Sequence, residues 1–267
     1  MLPCIESAQN PKIKSVVTLL EKSKERRETQ LFVVEGVREV TMALAAQYTP
    51  HSIFYLPHFH PNPVEQFHLP PGVPCYPVST DVYHKVAYRE STEGIVAVFH
   101  QKSLNLHHIK LSKNPLILVT EAVEKPGNIG AMLRTADSAQ VDAVLVCDPL
   151  CDLYNPNLIR ASIGSLFTRQ VVACSSASAV SWLQQNGLAV YAATLQDSAP
   201  YHLQNYTAGC AIVVGSEAKG LTSVWRNPHC TAVKIPMRGS VDSLNVSVSA
   251  AIILFEALRQ RETGGAK

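Results

Sequence analysis

The feature that most constrains the fold is a series of short, continuous apolar runs in the second half of the chain. They lie at residues 115–120, 143–147, 189–193, 211–214 and 232–235. Such a run is typical of a strand that is buried on both faces. Helical patterns separate most of the runs, at residues 128–139, 156–166 and 178–186. The alternation predicts an α/β domain with a parallel sheet covered by helices.

The final helix is expected from Asn245 to about Arg261, and it is apolar nearly all round. That composition predicts burial against the sheet, against a subunit partner, or against both. A smaller α/β unit is predicted before residue 100, with a helix from Pro11 to about Arg27 and strands at 31–35, 52–56 and 94–99. The polar stretch 101–115 is interpreted as a linker, which divides the chain into domains 1–108 and 109–267.

Composition narrows the class of protein. The chain has 267 residues, 46% of them hydrophobic, and no apolar run of the roughly 18 residues that span a bilayer. Its start lacks the apolar core of a signal peptide, so we expect a soluble, cytoplasmic protein without a membrane partner. Seven scattered Cys and ten His lack ligand spacing, so no metal is expected. The net charge of +2 requires any nucleic acid to meet a local basic patch.

Three polar loops follow buried strands, at the carboxyl ends where open α/β sheets bind ligands. In the first, Asn128 is predicted to cap a helix, and Arg134 offers a guanidinium to a phosphate or sugar oxygen. In the second, Gly215 permits close backbone approach and Glu217 accepts hydrogen bonds. In the third, Ser243 or Asn245 caps the final helix. Taken singly, the first loop is better explained by an ordinary cap and a solvated Arg, and the other two are equally compatible with an ordinary turn or cap.

Read in order, the loops are N-x-G-x-x-x-R, G-S-E-x-x-G-L and I-P-M-x-G-x-x-x-S-L-N-V. Together they resemble the SpoU/TrmH family of RNA ribose 2′-O-methyltransferases, within the SPOUT superfamily. The resemblance extends from about Leu116 to Arg261 and includes the segments 152–156 and 160–164. Residues 10–14 and 32–36 look like the N-terminal substrate-binding domain that is common in this family.

The resemblance implies an S-adenosyl-L-methionine cofactor, a homodimer through the C-terminal domain, and a C-terminal trefoil knot. It also implies which residues carry the function. Cofactor contacts fall on Thr194, Gly215, Ile235 and Leu244, and the active site on Asn128, Arg134, Glu217, Ser243 and Asn245. A guanidinium holds its proton above pH 12, so Arg134 is interpreted as a stabiliser of the nascent alkoxide or a phosphate clamp.

The chain departs from the family pattern at two positions, Lys125 in place of a frequent Asp and Gln140 in place of a frequent Gly. Neither is expected to touch a residue assigned to chemistry, and Lys125 would add positive charge for RNA near the site. A basic face on the first helix is predicted to bind RNA, and it comprises Lys12, Lys14, Lys22, Lys24, Arg26 and Arg27. The alternative is a solvated face in which these cations are mixed with Glu21, Glu25 and Glu28.

We therefore expect RNA modification by methyl transfer to a ribose 2′-hydroxyl of structured RNA, with ribosomal RNA favoured by the N-terminal domain and a role in rRNA processing. Three alternatives stay open: a tRNA ribose methyltransferase, a non-catalytic RNA-binding relative, and a nucleotide-dependent oxidoreductase. The last is disfavoured because the dinucleotide fingerprint G-x-G-x-x-G is incomplete around Gly127 and Gly130.

Overall fold

A computed structural model describes residues 2–87, 93–102 and 104–264. These residues form two compact units, which we describe separately. The first contains residues 2–102 together with Tyr154–Phe167, and the second contains residues 104–153 and 168–264. No helix among the described residues is both long enough and apolar enough to cross a membrane.

The first unit is built on a four-stranded sheet. Its strands are β1 (Leu31–Glu35), β2 (Pro50–Tyr55), β3 (Cys75–Pro77) and β4 (Ile95–His100). They lie in the order β1-β4-β2-β3, with β4 antiparallel to both its neighbours and β3 parallel to β2. The predicted strands of this region are confirmed, with ends that differ by one or two residues.

Five helices accompany this sheet: α1 (Pro11–Glu21), α2 (Ser23–Thr29), α3 (Val37–Ala45), α4 (Pro63–Gln66) and α5 (Thr80–Val86). Asn10 caps α1 as predicted, since its side chain accepts a hydrogen bond from the Lys12 backbone N–H at 3.0 Å. The single helix expected to reach Arg27 is wrong. Lys22 is extended, with φ −112° and ψ 112°, and this residue separates α1 from α2.

The second unit contains a seven-stranded sheet in which every pair of neighbours is parallel. Its order is β7-β6-β5-β10-β8-β11-β9. The strands are β5 (Leu116–Glu121), β6 (Ala143–Cys147), β7 (Gln170–Cys174), β8 (Ala189–Ala193), β9 (Ala199–Pro200), β10 (Cys210–Gly215) and β11 (Cys230–Lys234). The predicted parallel sheet is confirmed. The apolar runs form its central strands, whereas β7 and β9, which the sequence analysis missed, lie at its edges.

The helices α6 (Pro126–Ser138), α9 (Ser176–Gln185) and α10 (Val246–Gly264) belong to this unit. Helix α10 packs against α6 and β10, so the expected burial against the sheet is confirmed. Val246, Ala250, Ile253 and Leu254 are buried. In contrast, Val248 and Phe255 are each 46% exposed, which leaves an apolar face of α10 open.

The segment Tyr154–Phe167 lies between β6 and β7 in sequence but packs in the first unit. It contains α7 (Pro156–Ser162) and most of α8 (Ser165–Thr168), which replace the one helix expected at 156–166. Ile163 and Gly164 have φ values of 48° and 90°, and this left-handed turn separates the two helices. The Tyr154 ring lies 4.4 Å from that of Phe32 in β1. The first unit therefore includes a stretch that a boundary at 108/109 assigns to the C-terminal domain.

Candidate functional site

A cavity of about 340 Å³ opens at the carboxyl ends of β8, β10 and β11 in the second unit. Its position agrees with the rule that open parallel sheets bind ligands outside these strand ends. All four residues predicted to contact the cofactor line it, namely Thr194, Gly215, Ile235 and Leu244. The cavity lining also includes Glu217 and Ser243 from the predicted active site.

The walls of this cavity combine apolar and polar groups. Val214, Leu221, Ile235 and Leu244 supply apolar surface, while Thr194, Ser243 and the carboxylates of Glu217 and Asp242 supply hydrogen-bond acceptors. The lining carries both signs of charge, because Lys219, Arg226 and Lys234 lie in it beside the two carboxylates. A site of this composition suits a small ligand that carries a flat apolar part and charged groups of both signs.

Gly215 is required by the close approach of two backbone segments. A Cβ atom at this position would lie 2.5 Å from the carbonyl carbon of Gly220 and 2.7 Å from the nitrogen of Leu221. The loop folds back because Gly220, with φ +66°, donates its N–H to the Ser216 carbonyl at 2.8 Å. The second loop is thus a tight turn that forms one wall of the cavity.

Three polar side chains, one from each predicted loop, meet in a hydrogen-bonded cluster. Asn128 Nδ2 donates to Glu217 Oε1 at 3.0 Å, and Asn245 Nδ2 donates to the same oxygen at 2.7 Å. Asn245 Nδ2 also lies 3.2 Å from Asn128 Oδ1. Lys125 Nζ pairs with Glu217 Oε2 at 3.5 Å. The loops that were singled out from the sequence therefore converge. The expectation that Lys125 touches no residue assigned to chemistry is wrong, because it pairs with Glu217.

Local sequence explains why these amides are available. The prediction that Asn128 caps α6 is wrong, because Pro126 starts the helix two residues earlier and Lys125 occupies the cap position. The Asn128 side chain is therefore free to contact Glu217. Asn245 does cap α10: its Oδ1 accepts from the Ser247 N–H at 3.0 Å and hydroxyl at 2.6 Å. This capping turns Nδ2 of Asn245 towards Glu217.

Arg134 stands apart from the cluster. It lies six residues after Asn128 in α6, about 9 Å further along the helix axis. Its side chain is exposed and is not part of the cavity lining. Within the described part of the chain, no carboxylate forms an ion pair with it. The structure thus joins Asn128, Glu217 and Asn245 to one another, but it does not bring Arg134 to them, and its catalytic role stays a prediction.

Sequence reasoning missed a buried carboxylate behind the cavity. Glu121, the last residue of β5, is 1% exposed. Its oxygens accept from the Thr222 N–H at 2.7 Å, the Thr222 hydroxyl at 2.8 Å and Trp225 Nε1 at 2.9 Å, and the Ser176 hydroxyl lies 2.6 Å away. Thr222 directly follows the cavity residues Gly220 and Leu221. The sequence signal that could have indicated Glu121 is an acidic residue at the end of an apolar run, because a buried carboxylate requires hydrogen-bond partners.

The basic face of the first unit is only partly as expected. Lys12, Lys14, Lys22, Lys24 and Arg27 are exposed, and Lys24 pairs with Glu28 at 3.7 Å. The inclusion of Arg26 is wrong, because its side chain is only 2% exposed. Its guanidinium donates to the carbonyls of Leu19 at 2.5 Å and Leu20 at 3.2 Å, in the last turn of α1. Arg26 therefore has a structural role.

The fold and the cavity define an α/β protein that binds a small ligand at the carboxyl ends of a parallel sheet. Residues 115–255 match the SpoU rRNA Methylase family, and residues 10–97 match the MRM3-like substrate binding domain. The chain belongs to the SpoU rRNA methylase family.

Relatives extend this likeness over most of the chain. The 23S rRNA (guanosine(2553)-2′-O)-methyltransferase RlmP of Bacillus subtilis is 34% identical over 252 residues, which cover 94% of this chain and 97% of that protein. A crystal structure described as an RNA 2′-O ribose methyltransferase is 38% identical, with a TM-score of 0.82 over 97% of this chain and all of the other. The AdoMet-bound rRNA methyltransferase of Sinorhizobium meliloti is 26% identical, with a TM-score of 0.88 over 96% of this chain and 97% of that one.

Proposed function

We propose that this protein transfers a methyl group from S-adenosylmethionine to a ribose 2′-hydroxyl of structured RNA, with ribosomal RNA as the favoured substrate. The observation that carries the proposal is the Asn128–Glu217–Asn245 cluster beside the cavity, built from all three loops of the methyltransferase pattern. A relative named as a 23S rRNA 2′-O-methyltransferase and an AdoMet-bound structural neighbour support it.

The cavity fits this cofactor. Its volume of about 340 Å³ is in the range of small-ligand sites. Apolar walls at Ile235 and Leu244 suit an adenine ring. The two carboxylates and three basic side chains of the lining suit a ligand that carries both positive and negative groups. Gly215, Ile235 and Leu244 would hold the adenosine through backbone groups, with Thr194 as a further contact. When bound, the cofactor supplies an activated methyl group on a sulfonium centre.

The chain itself contributes position and charge. An in-line attack by a ribose hydroxyl needs the oxygen to be held near the methyl group, so positioning supplies much of the rate. We assign this orienting role to Asn128, Ser243 and Asn245, while Glu217 keeps the two amides in place. Arg134 would stabilise the alkoxide that forms on the ribose oxygen or hold an adjacent phosphate, since its guanidinium remains protonated.

We infer further that residues 1–108 recognise RNA through the exposed cations Lys12, Lys14, Lys22, Lys24 and Arg27, and that residues 109–267 form the catalytic domain. We also infer a trefoil knot that brings the second and third loops to one cavity, and a homodimer through the C-terminal domain. The exposed Val248 and Phe255 of α10 support the dimer, because an apolar face of this kind marks an interface. A ribosomal RNA substrate would place the enzyme in the cytoplasm.

The test is transfer of labelled methyl groups to ribosomal RNA from a strain in which the gene is deleted. Wild-type protein should label the RNA at ribose 2′-oxygens, and Arg134→Ala should label it at least 100-fold more slowly. Calorimetry should show binding of S-adenosylhomocysteine and none of NAD. Binding of S-adenosylhomocysteine and RNA without transfer would favour a non-catalytic relative, while labelling of tRNA alone would favour the tRNA alternative.

A further inference from the structure

A second cavity, of about 300 Å³, lies in the first unit between α1 and the four-stranded sheet. We call it the α1 groove. Its floor is apolar and consists of the buried Val16 and Leu19 of α1 and the buried Phe54 and Val98 of the sheet. Leu31, Pro74 and Tyr76 also line the groove and are only partly buried, so they supply its accessible apolar surface.

An aromatic ring forms part of the groove. Tyr76 is half-buried, and its ring lies 5.4 Å from that of Phe54, with an angle of 31° between the two planes. The Lys12 ammonium lies 5.3 Å from the centre of the Tyr76 ring. A phosphate arriving at this edge would compete with the ring for the ammonium, because an ion pair attracts a cation more strongly than an aromatic face does.

The polar residues His51 and Ser52 at the rim of the groove can both donate and accept hydrogen bonds. His51 Nδ1 lies 3.2 Å from the Ser52 hydroxyl, and the His51 ring is 5.5 Å from that of His100. Burial, together with the nearby His100, lowers the pKa of His51, which favours the neutral imidazole. A neutral imidazole has one donor and one acceptor, which matches the mixed donors and acceptors on the edge of a nucleobase.

The charge of the groove favours an anion. The residues that line it include Lys12 and no acidic side chain. With the Tyr76 ring, this lining favours a ligand with a flat ring and a negatively charged group. The volume of about 300 Å³ is at the small end of ligand sites, which suits one nucleotide rather than a folded segment.

We propose that the α1 groove binds a single unstacked nucleotide of the RNA substrate. Its base would pack against Tyr76 with its edge on His51 and Ser15, and its phosphate would pair with Lys12. The proposal rests on the proposed function in one respect, that the substrate is RNA. Unstacked bases held on aromatic side chains are the common means by which proteins select single-stranded positions in RNA.

The experiment measures methyl transfer and RNA binding by the full chain, with ribosomal RNA from the deletion strain as the probe. Ser15→Trp fills the groove from the exposed face of α1, Lys12→Ala removes the cation, and Tyr76→Ala removes the ring. Lys85→Ala and Lys85→Trp are matched controls at an exposed position of α5 outside the groove. Tyr76→Ala alters packing against Phe54 and could prevent folding. In that case Ser15→Trp still tests the groove, because it leaves Tyr76 in place.

The three groove variants should raise KM for RNA about fivefold or more, as expected from the loss of one base–aromatic contact. Their kcat and their affinity for S-adenosylhomocysteine should equal those of wild type, and the Lys85 controls should match wild type throughout. If Ser15→Trp and Lys12→Ala transfer methyl groups normally with an unchanged KM for RNA, the proposal that the groove binds a nucleotide is overturned. The proposed methyltransferase function would be unaffected by this result. An equal rise of KM for RNA in the Lys85 controls would also overturn the proposal, because the effect would then not be specific to the groove.

If wild-type protein transfers no methyl group, the proposed activity fails, and filter binding of the same RNA decides on the groove alone. Weaker RNA binding by Ser15→Trp than by Lys85→Trp would then support the groove. Equal RNA binding by the two variants would overturn it.

Discussion

Individual residues in the cluster serve the fold and the site at once. Asn245 is the clearest case, since Oδ1 caps α10 while Nδ2 contacts Glu217 and Asn128. A rigid helix end therefore fixes the orientation of a side chain in the proposed active site. Such coupling keeps a polar cluster in one arrangement although its members lie near the surface.

The two roles of Asn245 can be separated by substitution. Asn245→Ser retains a capping oxygen but loses the donor to Glu217. We expect the free energy of unfolding to change by less than about 1 kcal/mol, while kcat falls roughly 10- to 100-fold because the reacting groups are misplaced. Urea denaturation and steady-state methyl transfer measure the two effects. An unchanged kcat would mean that Asn245 acts only as a cap.

Substitution of Gly215 tests the importance of the tight turn in the second loop. Gly215→Ala places a Cβ 2.5 Å from the Gly220 backbone, so the loop must move. We expect the affinity for S-adenosylhomocysteine to fall at least tenfold, about 1.4 kcal/mol or more. Calorimetric titration measures this affinity. Gly127→Ala is the matched control, because its added Cβ meets no atom within 4 Å and should leave the affinity unchanged.

Among the secondary-structure elements, those with a strong local pattern were predictable. Strands β1, β6 and β8 have the ends expected from their apolar runs. β7 was not predictable, because it lies at the sheet edge and its sequence begins with Gln170 and ends with Cys174. The three loops were found from their motifs, but the hydrogen bonds among them join residues about 90 and 117 positions apart, which no local pattern encodes.

Helices α1 and α2 show a further limit of periodicity. Arg26 lies on a helix rich in charge, so the pattern indicates an exposed side chain, whereas the turn at Lys22 directs it to the carbonyls of α1. A buried Arg that satisfies backbone carbonyls can be recognised only once the path of the chain is known.

This arrangement predicts different effects for substitutions of two adjacent arginines, on stability for Arg26 and on RNA binding for Arg27. Arg26→Ala removes a charged donor from the Leu19 and Leu20 carbonyls, and we expect it to lower the free energy of unfolding by about 2–3 kcal/mol. Arg27→Ala, at an exposed position, should change it by less than about 0.5 kcal/mol but weaken RNA binding. Urea denaturation and filter binding measure both. Equal losses of stability in the two variants would contradict the structural role of Arg26.

Glu121, at the end of β5, is a buried and hydrogen-bonded carboxylate in the second unit. Glu121→Gln keeps the size of the side chain but presents an NH₂ group where oxygens accept from Thr222 and Trp225. We expect a loss of about 2–4 kcal/mol in the free energy of unfolding and weaker binding of S-adenosylhomocysteine, because Leu221 adjoins Thr222. Chemical denaturation and calorimetry measure these. The exposed neighbour Glu124→Gln should change neither quantity, and full stability of Glu121→Gln would contradict this assignment.

At the scale of the whole molecule, segments that are adjacent in sequence do not all pack in the same unit. The chain leaves the first unit after residue 102, returns to it at Tyr154–Phe167, and leaves it again. Periodicity predicted one helix at 156–166, where the structure has α7 and most of α8, and it contains no information on which sheet these helices cover. Aromatic contacts decide this: Phe167 packs 5.1 Å from Tyr48, and Tyr154 packs 4.4 Å from Phe32.

The stability of the first unit should therefore depend on a residue from the middle of the chain. Tyr154 packs its ring on Phe32, accepts from the Lys102 N–H at 3.0 Å and donates to the Lys102 carbonyl at 3.1 Å. Tyr154→Ala should cost about 3–5 kcal/mol through the cavity that it leaves. Tyr154→Phe keeps the ring and should cost about 1–2 kcal/mol through the lost hydrogen bonds.

Hydrogen exchange locates this loss within the molecule. In Tyr154→Ala, amides of β1 and β4 should exchange faster, while amides of β5 and β6 and the affinity for S-adenosylhomocysteine should remain as in wild type. Such a result would mean that the segment stabilises the first unit, although it interrupts the sequence of the second. Faster exchange spread evenly over both sheets would show instead that the two units unfold together, and the segment could not then be assigned to one of them.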